Sequence, residues 1–559
     1  MANESISTAP VGEKPDSEFR GVFRTDLLAR ELYSEGAGIA RCLPSAVAVP
    51  LDAPDAAVLV RWARQSGYSL MARGSGSGMA AGAIGPGITV DLSQLNSVGD
   101  IDIAQGRIRV GCGAVRNEIE RSAKAHRLRF PVDPSSSAFC TIGGMVGANA
   151  SGARTLRYGS TRSWVVGLEC VFDDGSIAWI RRDDPLPMHV PAVRRLVQSL
   201  ELISMQANAA SLLHPGVRKE SSGYAIAASL APAGHLIDLL IGSEGTLAMF
   251  TQVELALTDA VGATATILAQ FDSLEAATEC ALRASEAGAS ACELLDRTFL
   301  DLAASQGATG IPAGSEAVLL AEVEATDHGE ASAAANELAQ AFRTLGARDV
   351  ILALTPDGEH DLWTLRHAAS PILSRLAPRL RSMQFIEDGC VPPQNLPAYV
   401  RGVRAALKKA EFAGVIFGHA GDAHIHVNPL IDVNRTDWRQ RVNGALLDVV
   451  ELTSRLHGTL AGEHGDGRLR APLLPHVWNA EARAAFANIK AAGDPAGVFN
   501  VGCKVATSDD DLKGALRHDP NATPLSATAR VILDRIESTR SWNRFRLAEI
   551  ADAPAAPRD

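Results

Sequence analysis

The first half of the chain combines two hydrophobic periods, which predicts strands that alternate with helices. The apolar run AVAVPL begins the pattern and is typical of a buried strand. In the next segment Val58, Leu59, Trp62 and Ala63 recur at helical spacing, and Asp55 lies near the predicted helix start. Strands are also predicted in YSLMARG, ITVDLSQLNSV, RIRVGCGAV and FTQVELAL, and a helix in RNEIERSAKAHRL.

From Ala263 onward a strand followed by a helix occurs twice, first in ATILAQFDSLEAATECALRASEAG and again in AVLLAEVEA with ASAAANELAQAFRTLGA. This order predicts an α+β domain, with an antiparallel sheet and helices on one face. The polar start of the chain is predicted to be disordered. We therefore divide the chain into a disordered segment 1–20, a first domain 21–257, a second domain 258–505 and a tail 506–559 with one helix.

The composition is that of an ordinary globular chain and argues against several function classes. Of 559 residues, 46% are hydrophobic and 21% charged. No apolar run approaches the ~18 residues of a membrane-spanning helix, and the start lacks the features of a secretory signal. The net charge of −11 argues against a general nucleic-acid binder. We expect a cytoplasmic enzyme, and peripheral contact with the inner membrane stays open.

The eight cysteines are scattered along the chain, and no two form a CxxC pair. Single cysteines in a cytosolic chain are usually small core residues. This spacing argues against an iron–sulfur cluster or a zinc ribbon within the chain.

Three glycine-rich segments stand out in the first domain. The first, RGSGSG at residues 73–78, directly follows a predicted strand, where glycine lets backbone amides approach an anion closely. Alone it is better explained as a tight turn, and it matches neither a Rossmann fingerprint nor a P-loop. The denser segment 131–161 and the segment GSEGT at 242–246 favour a backbone that lies against a large rigid ligand.

The second domain carries a histidine-rich motif, GHAGDAHIHVN, and a second motif, GEHGDG. Two histidines and a carboxylate are a common ligand set for a divalent transition metal with open positions. His424 and His426 alternate on one strand and share a face, so His424 is a rival ligand. A lone histidine is more often an ordinary turn residue, but three within eight residues beside Glu463 favour a metal site.

The order of these motifs resembles that of the FAD-linked D-2-hydroxy-acid dehydrogenases of the vanillyl-alcohol-oxidase superfamily. This family includes D-lactate dehydrogenase, the glycolate oxidase D-subunit and D-2-hydroxyglutarate dehydrogenase. The resemblance covers roughly residues 44–505 and includes DPSSSAFCTIGGMVGANASGARTLRYG, GLECVFDDG and GSEGTLAMFTQVEL. It implies a PCMH-type FAD-binding domain followed by an FAD-linked oxidase C-terminal domain.

The resemblance implies FAD held without a covalent bond, because Ser77 and Gly78 stand where covalent relatives carry a histidine. The first glycine loop would hold the pyrophosphate. The cofactor-binding residues that it implies are Arg73, Gly74, Ser75, Gly76, Ser77, Gly78, Pro134, Ser135, Thr141, Gly144, Asn149, Gly152, Tyr158, Glu244, Gly245 and Asn500.

The resemblance also implies the reacting groups. A Zn²⁺ or Mn²⁺ ion would be held by His419, His426 and Glu463, with His464 as the base. The substrate carboxylate would bind Arg366, whose planar guanidinium suits a bidentate contact. A further substrate contact is implied at Asn428, and Ser370, one helical turn after Arg366, could add a hydroxyl contact. A second carboxylate at Arg379 or Arg381 stays open, and Glu387 and Asp388 are predicted to be structural.

The expected reaction is oxidation of a D-2-hydroxy acid to the 2-oxo acid by hydride transfer to FAD. We expect D-lactate, with glycolate and D-2-hydroxyglutarate as alternatives. Rival functions are an FAD-binding subunit of a glycolate oxidase-like complex and a non-redox enzyme of the alkylglycerone-phosphate synthase type. The reduced flavin would pass electrons to a separate iron–sulfur or electron-transfer protein, or to a quinone.

The predicted tail helix near Val531–Phe545 has two interpretations. Its apolar and basic residues could dock such an electron-transfer protein. Equally, they could form an amphipathic helix that packs on its own domain.

Overall fold

The computed structural model of the chain describes residues 11–12, 14–15, 17–306, 312, 314–367, 376, 379–507 and 516–551. The strands of the first domain are β1 (Val22–Arg24), β2 (Ala46–Val49), β3 (Leu70–Arg73), β4 (Ile88–Asp91), β5 (Val98–Asp102), β6 (Arg107–Gly111), β7 (Leu128–Arg129), β8 (Val165–Val171), β9 (Ile177–Arg181), β10 (Met249–Ala256) and β11 (Thr258–Asp259). Those that follow are β12 (Ala263–Phe271), β13 (Ala291–Asp296), β14 (Ala317–Ala325), β15 (Asp349–Ala353), β16 (Leu380–Ser382), β17 (Gly389–Cys390), β18 (Ala413–Gly418) and β19 (His424–Asp432).

Among the described residues, the α-helices of the first domain are on average shorter than those that follow it. In the first domain they are α1 (Leu27–Leu32), α2 (Ala53–Ser66), α3 (Arg116–Lys124), α4 (Ile142–Ala148), α5 (Thr155–Tyr158), α6 (Pro191–Gln206), α7 (Ile226–Leu230) and α8 (Leu236–Leu240). After it come α9 (Leu274–Glu286), α10 (Arg297–Ser305), α11 (His328–Thr344), α12 (Pro356–His367), α13 (Leu396–Lys409), α14 (Trp438–Arg455), α15 (Gly467–Arg470), α16 (Leu474–Val477), α17 (Ala480–Gly493) and α18 (Ala527–Thr539).

The described strands of the first domain form two larger sheets and a two-stranded pair of β7 and β11. One has the order β1-β2-β4-β3, with β2, β4 and β3 parallel. Its crossover helix α2 begins where the Asp52 side chain accepts a hydrogen bond from the Asp55 amide, and it ends at Gly67 in the left-handed region. The other sheet is antiparallel with the order β5-β6-β10-β8-β9. The first glycine loop follows the carboxyl end of β3, where open parallel sheets bind ligands.

The second domain is built on one large antiparallel sheet with the order β15-β12-β14-β13-β18-β19-β16, and β17 also pairs with β19. Helices α9, α11, α13 and α14 cover one face through a core cluster that includes Phe342 and Tyr399. The expectation of helices on one face only is wrong, because Phe299 of α10 and Trp363 of α12 pack on the other face. Alternate residues of β13, β14 and β18 are apolar on both faces, so both faces are covered.

The core of the first domain also includes residues far along the chain. Trp478, Phe486 and Ile489 of the α16–α17 region lie in the same cluster as helix α6 and the antiparallel sheet. Val498 and Phe499 join the cluster of the parallel sheet. The predicted boundary at 505 therefore does not separate the two cores, because the chain returns to the first domain before that point.

The tail helix α18 packs on the first domain. Its buried residues Ile532 and Ile536 form a cluster with Tyr33, Phe139 and Trp542. The apolar face that a docked protein would need is therefore covered by the chain itself. This packing supports the interpretation that the tail is an amphipathic helix packed on its own domain. Among the described large apolar side chains of this helix, that of Val531 is exposed.

The predicted disorder of segment 1–20 is wrong for two of its residues. Val11 is buried against the parallel sheet, and Phe19 packs beside it. Both side chains are apolar, so their burial helps to offset the entropy that ordering costs. Residues 1–10 lie outside the described residues. Among the described helices, none combines the length and apolar character needed to cross a membrane.

Burial of the tail helix predicts a matched pair of stability effects. Ile536 is 1% exposed and Val531 is 50% exposed on the same helix. We expect Ile536→Ala to destabilise the first domain by about 2–5 kcal/mol, because it leaves a cavity in a packed cluster. Val531→Ala is expected to change stability little. Thermal denaturation of the two variants measures the difference, and equal melting midpoints would contradict the packing of this helix.

Candidate active site

A large cavity of about 1390 Å³ lies between the two domains. The glycine loops of the first domain form one wall, and the ends of β18 and β19 form another. The wall includes the 73–78 loop, the 133–136 and 141–145 segments, Glu244 and Gly245, together with Arg366, His419, His426, Asn428, Glu463 and His464. Two motifs that are far apart in the sequence thus face the same space.

The first glycine loop is shaped by close approaches that only glycine allows. A Cβ at Gly74 would lie 2.0 Å from the Thr141 hydroxyl oxygen. Gly76 has a φ of 74°, and a Cβ there would lie 2.3 Å from the Arg73 guanidinium. At Gly78 no atom lies within 4 Å of such a Cβ, so a side chain would occupy the cavity itself. This cradle fits a large cofactor that lies along the backbone.

Histidine and glutamate side chains converge at the end of the cavity formed by the second domain. Glu463 Oε1 lies 3.2 Å from His419 Nε2 and 3.4 Å from His426 Nε2. The ligand atoms of His419, His424, His426 and Glu463 all lie within 4.8 Å of one another. The set of donors therefore fits a divalent ion such as Zn²⁺ or Mn²⁺.

Hydrogen bonds orient the two outer histidines toward this point. His419 Nδ1 lies 2.6 Å from Glu293 Oε1, and His426 Nδ1 lies 2.8 Å from the Glu387 carbonyl oxygen. When Nδ1 donates to these oxygens, Nε2 is left with its lone pair facing Glu463. Partners of this kind fix the tautomer and raise the basicity of metal-ligating histidines.

His424 has a different position from the other two histidines of its motif. Its Nε2 lies 2.9 Å from Asp388 Oδ1, while its buried Nδ1 has no hydrogen-bond partner among the described residues. Burial lowers the pKa of His424 to about 3, so the ring is neutral. A neutral ring with an orphaned nitrogen fits a further ligand. A second, overlapping set of potential ligands contains Asp388, His426, Glu463 and His464.

The other oxygen of Glu463 is bound by residues of the first domain. Glu463 Oε2 accepts a hydrogen bond of 2.5 Å from the Ser151 hydroxyl and lies 3.2 Å from Lys219 Nζ. Lys219 is 3% exposed and also lies 3.6 Å from Asp422. Burial alone would raise the pKa of Glu463, but Lys219 and His419 hold it well below its usual range. The carboxylate is therefore ionised, and its Oε1 faces His419 and His426.

Arg366 is buried on helix α12 and contributes to the cavity wall. Its Nε lies 2.5 Å from Glu293 Oε2, and the guanidinium carbon lies 5.2 Å from the Phe417 ring centroid. Glu293 thus holds both Arg366 and His419. This pairing fixes the guanidinium at the edge of the cavity, where it can meet a carboxylate.

His464 lies beside the histidine cluster. Its ring stacks on His426 with centroids 5.3 Å apart, and Nε2 lies 3.7 Å from Glu463 Oε1. Nδ1 lies 3.2 Å from Glu387 Oε1. Burial would lower the pKa of His464, but Asp388 and Glu387 outweigh it and raise the pKa to about 9. This ring is thus oriented by two acids that are themselves buried.

Most of the predicted site residues line the cavity. Twelve predicted cofactor residues do so, as do both predicted catalytic residues and the three predicted metal ligands: Arg73, Gly74, Ser75, Gly76, Ser77, Gly78, Pro134, Ser135, Thr141, Gly144, Glu244, Gly245, Arg366, His464, His419, His426 and Glu463. Asn428 and Arg381 also lie on the wall, whereas Arg379 is exposed. Ser370 lies outside the described residues.

Four predicted cofactor residues are not on the wall of this cavity. Asn149 lines a separate cavity, where its side chain accepts a hydrogen bond from the Arg162 amide. Tyr158 donates to Glu324 instead. The Asn500 amide donates to the carbonyls of Gly82 and Glu244. A Cβ at Gly152 would meet the Asp133 backbone, so this glycine serves packing between segments.

Sequence reasoning missed several residues that position the reacting groups. Glu293, Lys219 and Arg470 received no role, although they contact Arg366, Glu463 or Glu387. The prediction that Glu387 and Asp388 are structural is incomplete, since both face His464. An isolated acid within the apolar run ACELLD was the available signal for Glu293.

Comparison with known families identifies both domains. Residues 44–181 match the family described as FAD binding domain. Residues 262–503 match FAD linked oxidases, C-terminal domain. The prediction of these two domains from the motifs is confirmed.

Curated relatives align over most of the chain at moderate identity. The chain is 27% identical to glycolate oxidase subunit GlcD of Bacillus subtilis, over 82% of the chain and 88% of that protein. It is 26% identical to a D-lactate dehydrogenase of Archaeoglobus fulgidus, over 82% and 90%. It is 29% identical to a D-2-hydroxyglutarate dehydrogenase of Escherichia coli, over 87% and 50%. The chain thus spans about half the length of this last relative.

Solved structures share the fold at low identity. An alkyldihydroxyacetonephosphate synthase has a TM-score of 0.60 at 12% identity and covers 86% of the chain and 82% of its own. The 4-ethylphenol oxidase of Gulosibacter chungangensis has a TM-score of 0.60 at 13% identity, over 86% and 94%. The predicted α+β fold class is therefore confirmed.

The convergence on Glu463 Oε1 predicts how substitution affects metal binding. Glu463→Gln removes the negative charge that faces the histidines, so we expect the affinity for Zn²⁺ or Mn²⁺ to fall at least about tenfold. Glu220→Gln is the matched control, because Glu220 is bound to His214 and Thr459. Metal content after dialysis measures the effect, with melting midpoints as the check on folding. Full metal retention by Glu463→Gln would contradict this ligand set.

Proposed function

We propose, on the premise that this chain is built from the FAD-binding and C-terminal domains of FAD-linked oxidases, that it oxidises a D-2-hydroxy acid to the 2-oxo acid. The observation that carries the proposal is the joint position of Arg366 and His464 on the wall of one cavity with the histidine–glutamate cluster. An anion-binding guanidinium, a proton-accepting ring and a metal-ligand set are the groups that this reaction requires.

FAD would lie along the glycine cradle of the first domain. The 73–78 loop offers backbone amides, and the segments around Thr141 and Gly245 offer further contacts. In the 73–78 loop Ser77 and Gly78 cannot form the histidyl bond of covalent flavoproteins, so we propose non-covalent FAD. When bound, FAD supplies the redox chemistry by accepting the hydride that leaves the substrate Cα carbon.

The substrate carboxylate would bind Arg366, and Asn428 would contact the substrate from β19. The ion pair with Glu293 fixes the orientation of the Arg366 guanidinium and neutralises part of its charge. The site therefore favours a small acid that approaches in one orientation. D-lactate is the substrate we propose first, with glycolate and D-2-hydroxyglutarate as alternatives. The curated relatives that align with this chain carry these three names.

His419, His426 and Glu463 would hold the divalent ion. Bound there, the ion would polarise the substrate hydroxyl and, as a nearby positive charge, lower the pKa of His464. His464 would then accept the hydroxyl proton at Nε2, while Glu387 and Asp388 hold Nδ1. The two acids keep the ring oriented and stabilise the imidazolium that results.

The proposed reaction also requires an electron acceptor. Oxidation leaves two electrons on the cofactor, which must pass to an acceptor. We propose a separate iron–sulfur or electron-transfer protein, or a quinone, as that acceptor. We propose a cytoplasmic location, with peripheral contact at the inner membrane as the alternative.

The test is an anaerobic absorbance titration of the metal-loaded flavoprotein with a panel of D- and L-2-hydroxy acids. Bleaching of the flavin band by one D-acid is the expected result, and it would identify the substrate. A flavoprotein that no acid reduces would contradict the proposal in favour of the non-redox enzyme. Turnover with an artificial dye acceptor would argue against a non-catalytic subunit.

Replacement of the proposed base gives a separate prediction. We expect His464→Asn to lower kcat by about 10²–10⁴-fold, because proton removal then falls to water. His476→Asn, at an exposed position, is the control and is expected to keep full activity. Both variants should retain the flavin content of the wild type. Unchanged kcat in His464→Asn would exclude this ring as the base.

A further inference from the structure

The C-terminal segment 516–551 forms part of the wall of the large cavity. Its wall residues include Arg517, His518, Arg530, Asp534, Arg540 and Trp542. Helix α18 is held against the first domain by the buried cluster around Tyr33 and Phe139. This wall is therefore a fixed surface, and it faces the same space as the glycine loops.

Arg540 differs from the other arginines of this wall. Arg517 pairs with Glu537, and Arg530 lies 3.0 Å from Glu35. Within the described part of the chain, no carboxylate lies within ion-pair distance of Arg540. Its guanidinium carbon instead lies 5.2 Å from the Phe139 ring centroid. The side chain thus presents an uncompensated positive charge to the cavity.

Two further guanidinium groups lie near this end of the cavity without an acidic partner in the described ranges. Arg73 is 1% exposed and donates to the carbonyls of Tyr33 and Glu35. Arg546 is 2% exposed and donates to the Leu32 carbonyl. One guanidinium nitrogen of each is buried and has no hydrogen-bond partner in the part of the chain that the structure describes. Burial lowers the pKa of both groups, that of Arg546 to about 9.

The position of Arg73 changes its expected role. The resemblance implied a direct contact with the pyrophosphate, but its guanidinium is turned toward backbone carbonyls behind the loop. A Cβ at Gly76 would collide with that guanidinium. Arg73 therefore positions the loop, and the cation that meets an anion in the cavity must come from elsewhere.

We propose that Arg540 supplies that cation and binds the diphosphate of FAD, so that the C-terminal segment completes the cofactor site. Phe139, on which Arg540 lies, is two residues from Thr141, whose hydroxyl touches Gly74 of the glycine loop. The guanidinium and the loop amides thus belong to one end of the cavity. A diphosphate carries the negative charge that would compensate the Arg540 guanidinium, and the planar guanidinium suits its oxygens.

The inference rests on FAD as the cofactor and on no other part of the proposed function. Its test is therefore ligand binding by the apoprotein, which needs neither substrate nor metal. Arg540→Gln is compared with Arg544→Gln, a control whose side chain is exposed and paired with Glu549. The probes are FAD, ADP, which carries the diphosphate without the flavin, and riboflavin, which carries the flavin without phosphate.

We expect Arg540→Gln to weaken FAD and ADP binding about tenfold to a hundredfold, because a charge-assisted contact is lost. Riboflavin binding and the melting midpoint of the apoprotein should stay unchanged, and Arg540→Lys should recover part of the affinity for ADP. Unchanged FAD affinity would overturn the proposal. An equal loss for riboflavin would also overturn it, since Arg540 would then shape the wall. If the chain oxidises none of the 2-hydroxy acids, the proposed reaction is contradicted, but these binding titrations still test the role of Arg540.

Discussion

The site depends on one buried carboxylate, Glu463, that is shared between the two domains. One of its oxygens accepts from Ser151 and faces Lys219, both in the first domain. Its other oxygen faces the histidines of the second domain. An ion at this depth is stable only while these partners surround it, because an unpaired buried charge costs several kcal/mol. The histidine–glutamate cluster that could hold a metal ion therefore depends on residues of both domains.

The same constraint extends through the rest of the site. Glu293 joins Arg366 to His419, and Glu387 joins His464 to Arg470. Every one of these acids pairs with a cation or an imidazole on a different element. A buried network in which each member holds another restricts side-chain motion, and such restriction preorganises groups that must meet a small substrate. The rigid geometry of the site is therefore a consequence of the pairing of its buried charges.

The parts of the site predicted from the sequence are those carried by short motifs. The spacing of the histidines favoured a metal site, and the resemblance implied His419, His426 and Glu463 as its ligands. The glycine loops indicated where a cofactor lies. Lys219 and Glu293 were missed because each acts across more than 120 residues of sequence. Asn149 and Tyr158 lie in the right segments, but local backbone direction turns their side chains to other partners. A motif predicts which segments lie near the site, whereas the direction of each side chain depends on its tertiary contacts.

The tail gives the same lesson at the level of the fold. The amphipathic pattern of the tail helix predicts that its apolar face is buried, because exposing that face to water costs free energy. The pattern does not specify which surface covers the face. The cover is the first domain, around Tyr33 and Phe139. Once the apolar face packs there, the basic residues at the helix end must project toward the cavity edge. Arg540 then faces the cavity, and no described carboxylate lies within ion-pair distance of it. An anionic group in the cavity is the simplest source of the missing charge, so a segment outside the recognised domains becomes part of the cofactor site.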